Sequence, residues 1–164
     1  AKIGIHWPCP NDDHEGTPYL HTTQFTRGKG LFHAIEHVPP AEQTDERYPL
    51  ILTTGRVLYH YHTGTMTMRT DGLNQLSPEC FVEICDKDVE TLGLKNGAMV
   101  NVSSRRGKIT AKLKVSDKAV AGTVFIPFHF AKAAANELTN GKLDPIAKIP
   151  EFKVCAIKIE PATA

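Results

Sequence analysis

Lys108-Ile109-Thr110-Ala111-Lys112-Leu113-Lys114-Val115 alternates apolar and polar residues along its length. Successive side chains of an extended strand point to opposite faces, so Ile109, Ala111, Leu113 and Val115 form a row for a core, and Lys108, Thr110, Lys112 and Lys114 a row for water. The stretch predicts a strand with one buried face. Just before it, Arg105-Arg106-Gly107 reads as a tight reversal, and Ala98 to Ser104 as a partner strand entered through the turn signal Asn96-Gly97.

Working outward, Tyr48 to Thr54 is a short apolar run ending at Gly55, as expected of a buried strand that feeds a loop. Cys80 to Cys85 is another strand candidate, followed by a short helix with Asp86 as its cap, Val89 and Leu92 inward and Gly93 as its stop. Residues 121 to 127 and 154 to 159 supply two further strands, with a helical turn over Ala131 to Leu138 between them. Five or six short strands with few helices predict a mainly β chain folded as a closed or nearly closed barrel, because closure removes the edges that short strands otherwise expose. Residues 1 to 47 carry Pro8, Pro10, Pro18, Pro39 and Pro40 without a sustained period. They read as an irregular arm packing on a barrel of residues 48 to 164. No internal repeat stands out.

The 164 residues are 41% hydrophobic and 23% charged, a composition that argues against disordered, fibrous and disulfide-scaffold chains. No apolar run approaches the ~20 residues needed to cross a bilayer, so no membrane insertion is expected. The start, Ala1 to His6, lacks the basic and apolar stretches of a secretory signal. Net charge is +1, which gives no bulk pull toward nucleic acid. Cys9, Cys80, Cys85 and Cys155 show no CxxC spacing, so reduced thiols in a cytoplasmic setting are expected.

The most unusual segment runs from Thr53 to Thr67: Thr53-Thr54-Gly55-Arg56-Val57-Leu58-Tyr59-His60-Tyr61-His62-Thr63-Gly64-Thr65-Met66-Thr67. Glycines admit a close backbone approach, hydroxyls donate and accept, and a guanidinium offers a planar fork to phosphate or carbonyl oxygens. A ligand loop and a hydroxyl-rich surface loop both fit this composition. His60 and His62 share a face of an extended segment, but no third metal ligand stands at a convincing spacing. His6, Cys9 and His14 do not form a zinc spacing, and an irregular arm pinned by a buried Trp7 explains that cluster. Lys108, Lys112, Lys114, Arg105 and Arg106 can dock an RNA or a partner protein, yet aromatics for base stacking are missing from those strands. Asn136 can read the mixed donor and acceptor edge of a heterocycle, or cap a helix. Pro150-Glu151-Phe152-Lys153 places a ring beside a cation, or is a plain turn. No nucleophile triad, acid/base carboxylate pair or phosphate-cradling glycine loop stands out.

Taken together, Gly4 to Pro10, Gly16 to His21, Phe32 to Glu36, Leu52 to Arg56 through Met66-Thr67, Asn136-Glu137-Leu138 and Pro150 to Lys153 resemble the C-terminal, cofactor-binding part of the alpha subunit of molybdenum or tungsten formate dehydrogenases, in the molybdopterin oxidoreductase family. The resemblance implies a six-stranded double-psi β-barrel of the aspartate-decarboxylase-like kind. It also implies a surface for molybdopterin guanine dinucleotide, with Thr54, Gly55, Arg56, Val57, Leu58, His60, His62 and Thr65 lining it and Phe128, Asn136, Phe152 and Lys153 contributing from later loops. Some relatives carry tyrosine at the positions of Phe128 and Phe152, and glutamine at that of His6.

By the same resemblance, the metal's own ligand, the catalytic groups and any iron-sulfur cluster belong to the remainder of the formate dehydrogenase catalytic subunit, the implied partner. The chain alone is expected to be inactive. The location implied is cytoplasmic, or periplasmic if the parent complex is exported. The alternative is a small β-barrel interaction module that uses its lysine-rich face. A self-sufficient decarboxylase-like enzyme would need a self-processing serine or a catalytic dyad, and neither stands out.

Overall fold

The computed structural model describes residues 6–162, so the Gly4-Ile5 start of the first resemblance motif and the first five residues of the Ala1 to His6 stretch lie outside the described residues. The chain divides into two units, Ala1–Val38 and Pro39–Ala164. The boundary precedes the expected one at residue 47. Residues 39–47 group with the barrel because Glu42 accepts from Arg105 at 2.6 Å, from Arg106 at 2.5 Å and from the Ala156 N–H at 3.1 Å.

In the second unit six strands close into a barrel: β1 (Leu50–Gly55), β2 (Phe81–Ile84), β3 (Met99–Ser103), β4 (Lys108–Val115), β5 (Thr123–Pro127) and β6 (Cys155–Pro161). Around the barrel the order is β1, β5, β2, β4, β3, β6 and back to β1. The β1/β5 and β2/β4 pairs are parallel and the other pairs antiparallel. This is the double-psi barrel that the resemblance implies. The alternation in β4 holds: Ile109, Ala111 and Leu113 are buried, while Lys108, Thr110, Lys112 and Lys114 are exposed. Leu52, Val82, Ile84, Val100, Val124 and Ile126 meet in the same core with no exposed surface. Each such burial stabilises by roughly 1.5–3 kcal/mol relative to an exposed side chain.

The pairing fixes which connections share an end. Leu52 lies opposite Cys155, Ser103 opposite both Lys108 and Lys158, and Gly55 opposite Pro127. The C-terminal ends of β1, β3 and β5 therefore stand together with the N-terminal ends of β2, β4 and β6. Connections 56–80, 104–107 and 128–154 all emerge at that end. Connections 85–98 and 116–122 emerge at the other.

Helices are few: α1 (Asp71–Leu76), α2 (Asp86–Thr91) and 3-10 turns over Thr67–Arg69, Ala131–Ala133 and Ala135–Glu137. Asp86 is the first helical residue of α2, and Cys85, with extended backbone, takes the cap position without a side-chain bond. Asp86 thus acts by its charge near the positive helix end. The single helical turn expected over Ala131 to Leu138 is two separate 3-10 turns, broken at Ala134, whose backbone is extended.

Among the described residues of the first unit there is no regular strand or helix, only an isolated bridge between Phe25 and Gly28. Local bonds shape its start: Thr17 Oγ1 donates to the Pro8 carbonyl at 2.7 Å, and the Gly16 N–H donates to His14 Nδ1 at 2.9 Å. Trp7 does not pin this arm. It is 78% exposed, and none of the described residues of this unit is buried.

Candidate functional site

The loops that begin at Thr53, Phe128 and Pro150 are bonded directly to one another. β1 ends at Gly55, whose carbonyl accepts the Phe128 N–H at 3.2 Å. Thr54 Oγ1 donates to the Phe152 carbonyl at 2.8 Å, and Lys153 Nζ donates to the Thr54 carbonyl. The Val57 N–H donates to His129 Nε2 at 2.8 Å. Three strand ends far apart in sequence thus share one hydrogen-bonded wall, which the common end of β1, β5 and β6 makes possible.

Side chains on that wall divide into presenters and holders. Arg56, Leu58, His62, Phe152 and Lys153 are exposed, and Val57 and Phe128 are half-buried. The Arg56 guanidinium lies 5.8 Å over the Tyr61 ring, and the His62 ring meets the edge of Phe128 at 6.0 Å. Arg56 has no carboxylate partner among the described residues, and Glu151, the nearest acid in sequence to Lys153, receives the Ala41 N–H and Asn140. Arg56 and Lys153 are the exposed cations of this wall.

Thr54, Gly55 and His60 hold the scaffold instead. Thr54 is buried with its hydroxyl committed to Phe152. Gly55 is glycine because a Cβ there would come within 2.6 Å of the Phe125 ring, so the reading of its flexibility as room for a ligand gives way to a packing reason. His60 is buried against the edge of Phe130, with Nε2 2.7 Å from the Ser77 carbonyl and Nδ1 3.2 Å from Thr67 Oγ1. Both ring nitrogens are used within the protein, which leaves none for a metal.

Thr65 and Asn136 are exposed, and their side chains form no hydrogen bonds with other described residues. Asn136 belongs to the same barrel end: Arg106 Nη2 donates to the Leu138 carbonyl at 2.8 Å, and Asn140 Nδ2 to the Val154 carbonyl at 2.9 Å. No bond links Asn136 or Thr65 directly to Arg56 or Lys153.

Sequence reasoning missed His129, which is buried with both ring nitrogens bonded to the loop that carries Arg56. Burial holds its pKa below the ordinary 6.5; the bond to the His62 carbonyl opposes this, and the charges of His60, Arg56 and His62 add to it. The only signal was its place in Phe128-His129-Phe130, where the rings drew attention first.

The lysine row does not form a free basic face. Lys112 pairs with Glu79 at 3.1 Å and Lys114 with Glu83 at 3.0 Å, while Arg105 and Arg106 are bound to Glu42. Internal neutralisation removes most of the charge that an RNA or an acidic partner would need.

Residues 50–156 match the family model described as the molydopterin dinucleotide binding domain. The chain belongs to that family. It is 50% identical, over 96% of its length, to the F420-dependent formate dehydrogenase subunit alpha of Methanocaldococcus jannaschii, and covers 24% of that protein. It is 42% identical, again over 96% of its length, to the assimilatory nitrate reductase catalytic subunit of Bacillus subtilis, and covers 23% of it. The acetylene hydratase of Pelobacter acetylenicus shares the fold, with a TM-score of 0.64 at 20% identity over 70% of this chain and 18% of that one. The chain spans about a quarter of the length of the curated relatives it matches.

The residues present suit a dinucleotide of the kind the family name states. Phosphate and heterocycle oxygens call for cations and N–H donors, which Arg56, Lys153 and His62 supply, and Asn136 adds unpartnered amide atoms that both donate and accept. Phe128 and Phe152 offer rings without hydroxyls. Among the described residues no helix is long and apolar enough to cross a membrane.

Proposed function

We propose that this chain is the dinucleotide-contacting part of a molybdenum or tungsten formate dehydrogenase that oxidises formate to carbon dioxide and passes on two electrons. The observation that carries the reading is the cationic wall, in which Arg56 and Lys153 stand on loops tied together through Thr54. The likeness to formate dehydrogenase alpha subunits at 50% identity supports the substrate. When bound, molybdopterin guanine dinucleotide supplies the redox chemistry through its metal centre.

This chain's residues bind and orient that group. Arg56 and Lys153 neutralise its negative oxygens, Asn136 pairs with a heterocycle edge, Phe128 and Phe152 shield a flank, and Val57, Leu58, His62 and Thr65 complete the loop surface. Thr54, Gly55 and His60 keep that surface in shape from beneath. The metal ligand and any iron-sulfur cluster belong to the rest of the catalytic subunit, the chain alone is inactive, and the parent enzyme works in the cytoplasm.

Native mass spectrometry of the parent subunit tests the wall. Arg56→Ala is expected to lower cofactor occupancy, and occupancy equal to that of the original overturns the assignment. The 42% identity to a nitrate reductase makes nitrate the rival substrate. The parent enzyme is expected to oxidise formate and leave nitrate unreduced, and the opposite pattern replaces formate in this reading.

A further inference from the structure

The segment from Val57 to His62 has no strand pairing, yet one side chain closes both of its ends. His129, 2% exposed, accepts the Val57 N–H at Nε2, 2.8 Å away, and donates from Nδ1 to the His62 carbonyl. These partners fix the tautomer, because a nitrogen that accepts from N–H carries no proton and a carbonyl can only accept. The ring is held by its neighbours: Phe128 at 5.0 Å, His60 at 5.9 Å and the edge of Phe130 at 6.1 Å. His60 ties the middle of the same segment to Ser77 and Thr67.

We propose that His129 is the positioning residue of the dinucleotide wall, setting the span from Val57 to His62 and with it the presentation of Arg56, Leu58 and His62. This rests on the reading of that wall as the dinucleotide surface. The clasp needs a neutral ring. A proton on Nε2 turns the acceptor into a second donor facing the Val57 N–H, and adds a charge beside His60, His62 and Arg56, the titratable and charged groups around it. The span is therefore expected to loosen as pH falls.

The test uses the full parent subunit carrying His129→Phe, His129→Gln or Arg56→Ala. Hydrogen exchange at Val57, corrected for its intrinsic rate, reads the clasp independently of activity, and cofactor retained after gel filtration between pH 5 and pH 8 reads its consequence. His129→Phe keeps a ring but loses both bonds, so Val57 should exchange about tenfold faster or more, and retention should fall by a similar factor. His129→Gln, whose amide oxygen can accept from Val57 without titrating, should recover part of both and flatten the pH profile. Unchanged exchange in His129→Phe, or the same pH profile in His129→Gln and the original, overturns the proposal; if His129→Phe does not fold, the glutamine profile decides. Unchanged retention in Arg56→Ala sinks the wall reading itself, whereas reduced retention there beside unchanged retention in His129→Phe sinks only the positioning role.

Discussion

A methyl group added at Gly55 would test why the strand that feeds the wall ends in glycine. An alanine Cβ would stand 2.6 Å from Phe125 Cε2 and 3.3 Å from Cζ, against roughly 3.5–4.0 Å for relaxed carbon contacts. Gly55 cannot retreat, since it is in register with Pro127 and its carbonyl holds the Phe128 N–H. The Phe125 ring must swing by about 1 Å toward Phe81, whose ring centroid is 6.2 Å away. Overpacking of this kind costs about 1–3 kcal/mol, offset by up to ~1 kcal/mol because alanine narrows the unfolded ensemble. The net expectation is about 1–2 kcal/mol lost from Gly55→Ala. In a Phe125→Leu background the obstructing ring edge is gone, and the same change should cost close to nothing. Urea unfolding of the four proteins of that double-mutant cycle gives the coupling directly. Equal cost in both backgrounds would refute the packing explanation and return Gly55 to the role of a ligand-approach glycine.

Gly107→Ala should destabilise by about 2 kcal/mol and loosen the turn that carries Asn136, because the new Cβ would meet the Glu137 carbonyl oxygen, a backbone atom, at 2.7 Å; urea midpoints give the cost and amide exchange at 135–138 the loosening. Burial pushes the Glu42 carboxyl up, but the bonds from Arg106, the Ala156 N–H and Arg105 pull it further, to below its ordinary 4.5. A carboxyl held lower in the folded state contributes stability that is present above its unfolded pKa and lost as pH falls through the folded one. Glu42→Gln should therefore be less stable than the original at pH 7 and lose less on acidification, as followed by urea midpoints from pH 7 to pH 3; parallel curves would contradict this. Burial pushes the Cys80 thiol up to about 12, and Cys155 is also raised by burial, whereas Cys9 and Cys85 are half-buried. A thiol reagent at pH 8 should label Cys9 and Cys85 in the folded chain and reach Cys80 and Cys155 only on unfolding, with the order read by peptide mass mapping.

The strands were legible wherever one face is wet. β4 shows its alternation because its polar row truly faces water, and its bounds emerge as read. β1, β2 and β5 pack more of their residues and appear as short apolar runs, so their ends shift by a residue or two between expectation and structure. α1 was missed because Asp71-Gly72-Leu73-Asn74-Gln75-Leu76 is too short to show a period and contains a glycine. Within the wall, exposed and buried residues carry the same chemistry in the sequence. Whether His60 turns outward or to the Ser77 carbonyl depends on a residue seventeen positions away, and such a contact leaves no local trace. His129 was overlooked for the same reason, since its partners, Val57 and His62, lie on a connection that leaves a different strand.

The least legible property is symmetry. Advancing every strand label by three, so that β1 becomes β4, β2 becomes β5 and β3 becomes β6, maps the pairing pattern onto itself: the parallel β1/β5 pair becomes β4/β2, and the antiparallel β1/β6 pair becomes β4/β3. The operation also exchanges the barrel's two ends. Connection 56–80 therefore corresponds to 116–122, and 128–154 to 85–98, each on the opposite end. A frame with equivalent ends has no reason of its own to gather chemistry at one of them. The gathering comes from the unequal connections, because only the end bearing 56–80 and 128–154 has enough chain beyond its strands to bring a guanidinium, a lysine and two phenyl rings together. The strands supply most of the aliphatic core, and the 128–154 connection adds Phe130, Ala133, Ala135 and Leu138 to it, so the same segment that seals that end also carries its exposed residues outward.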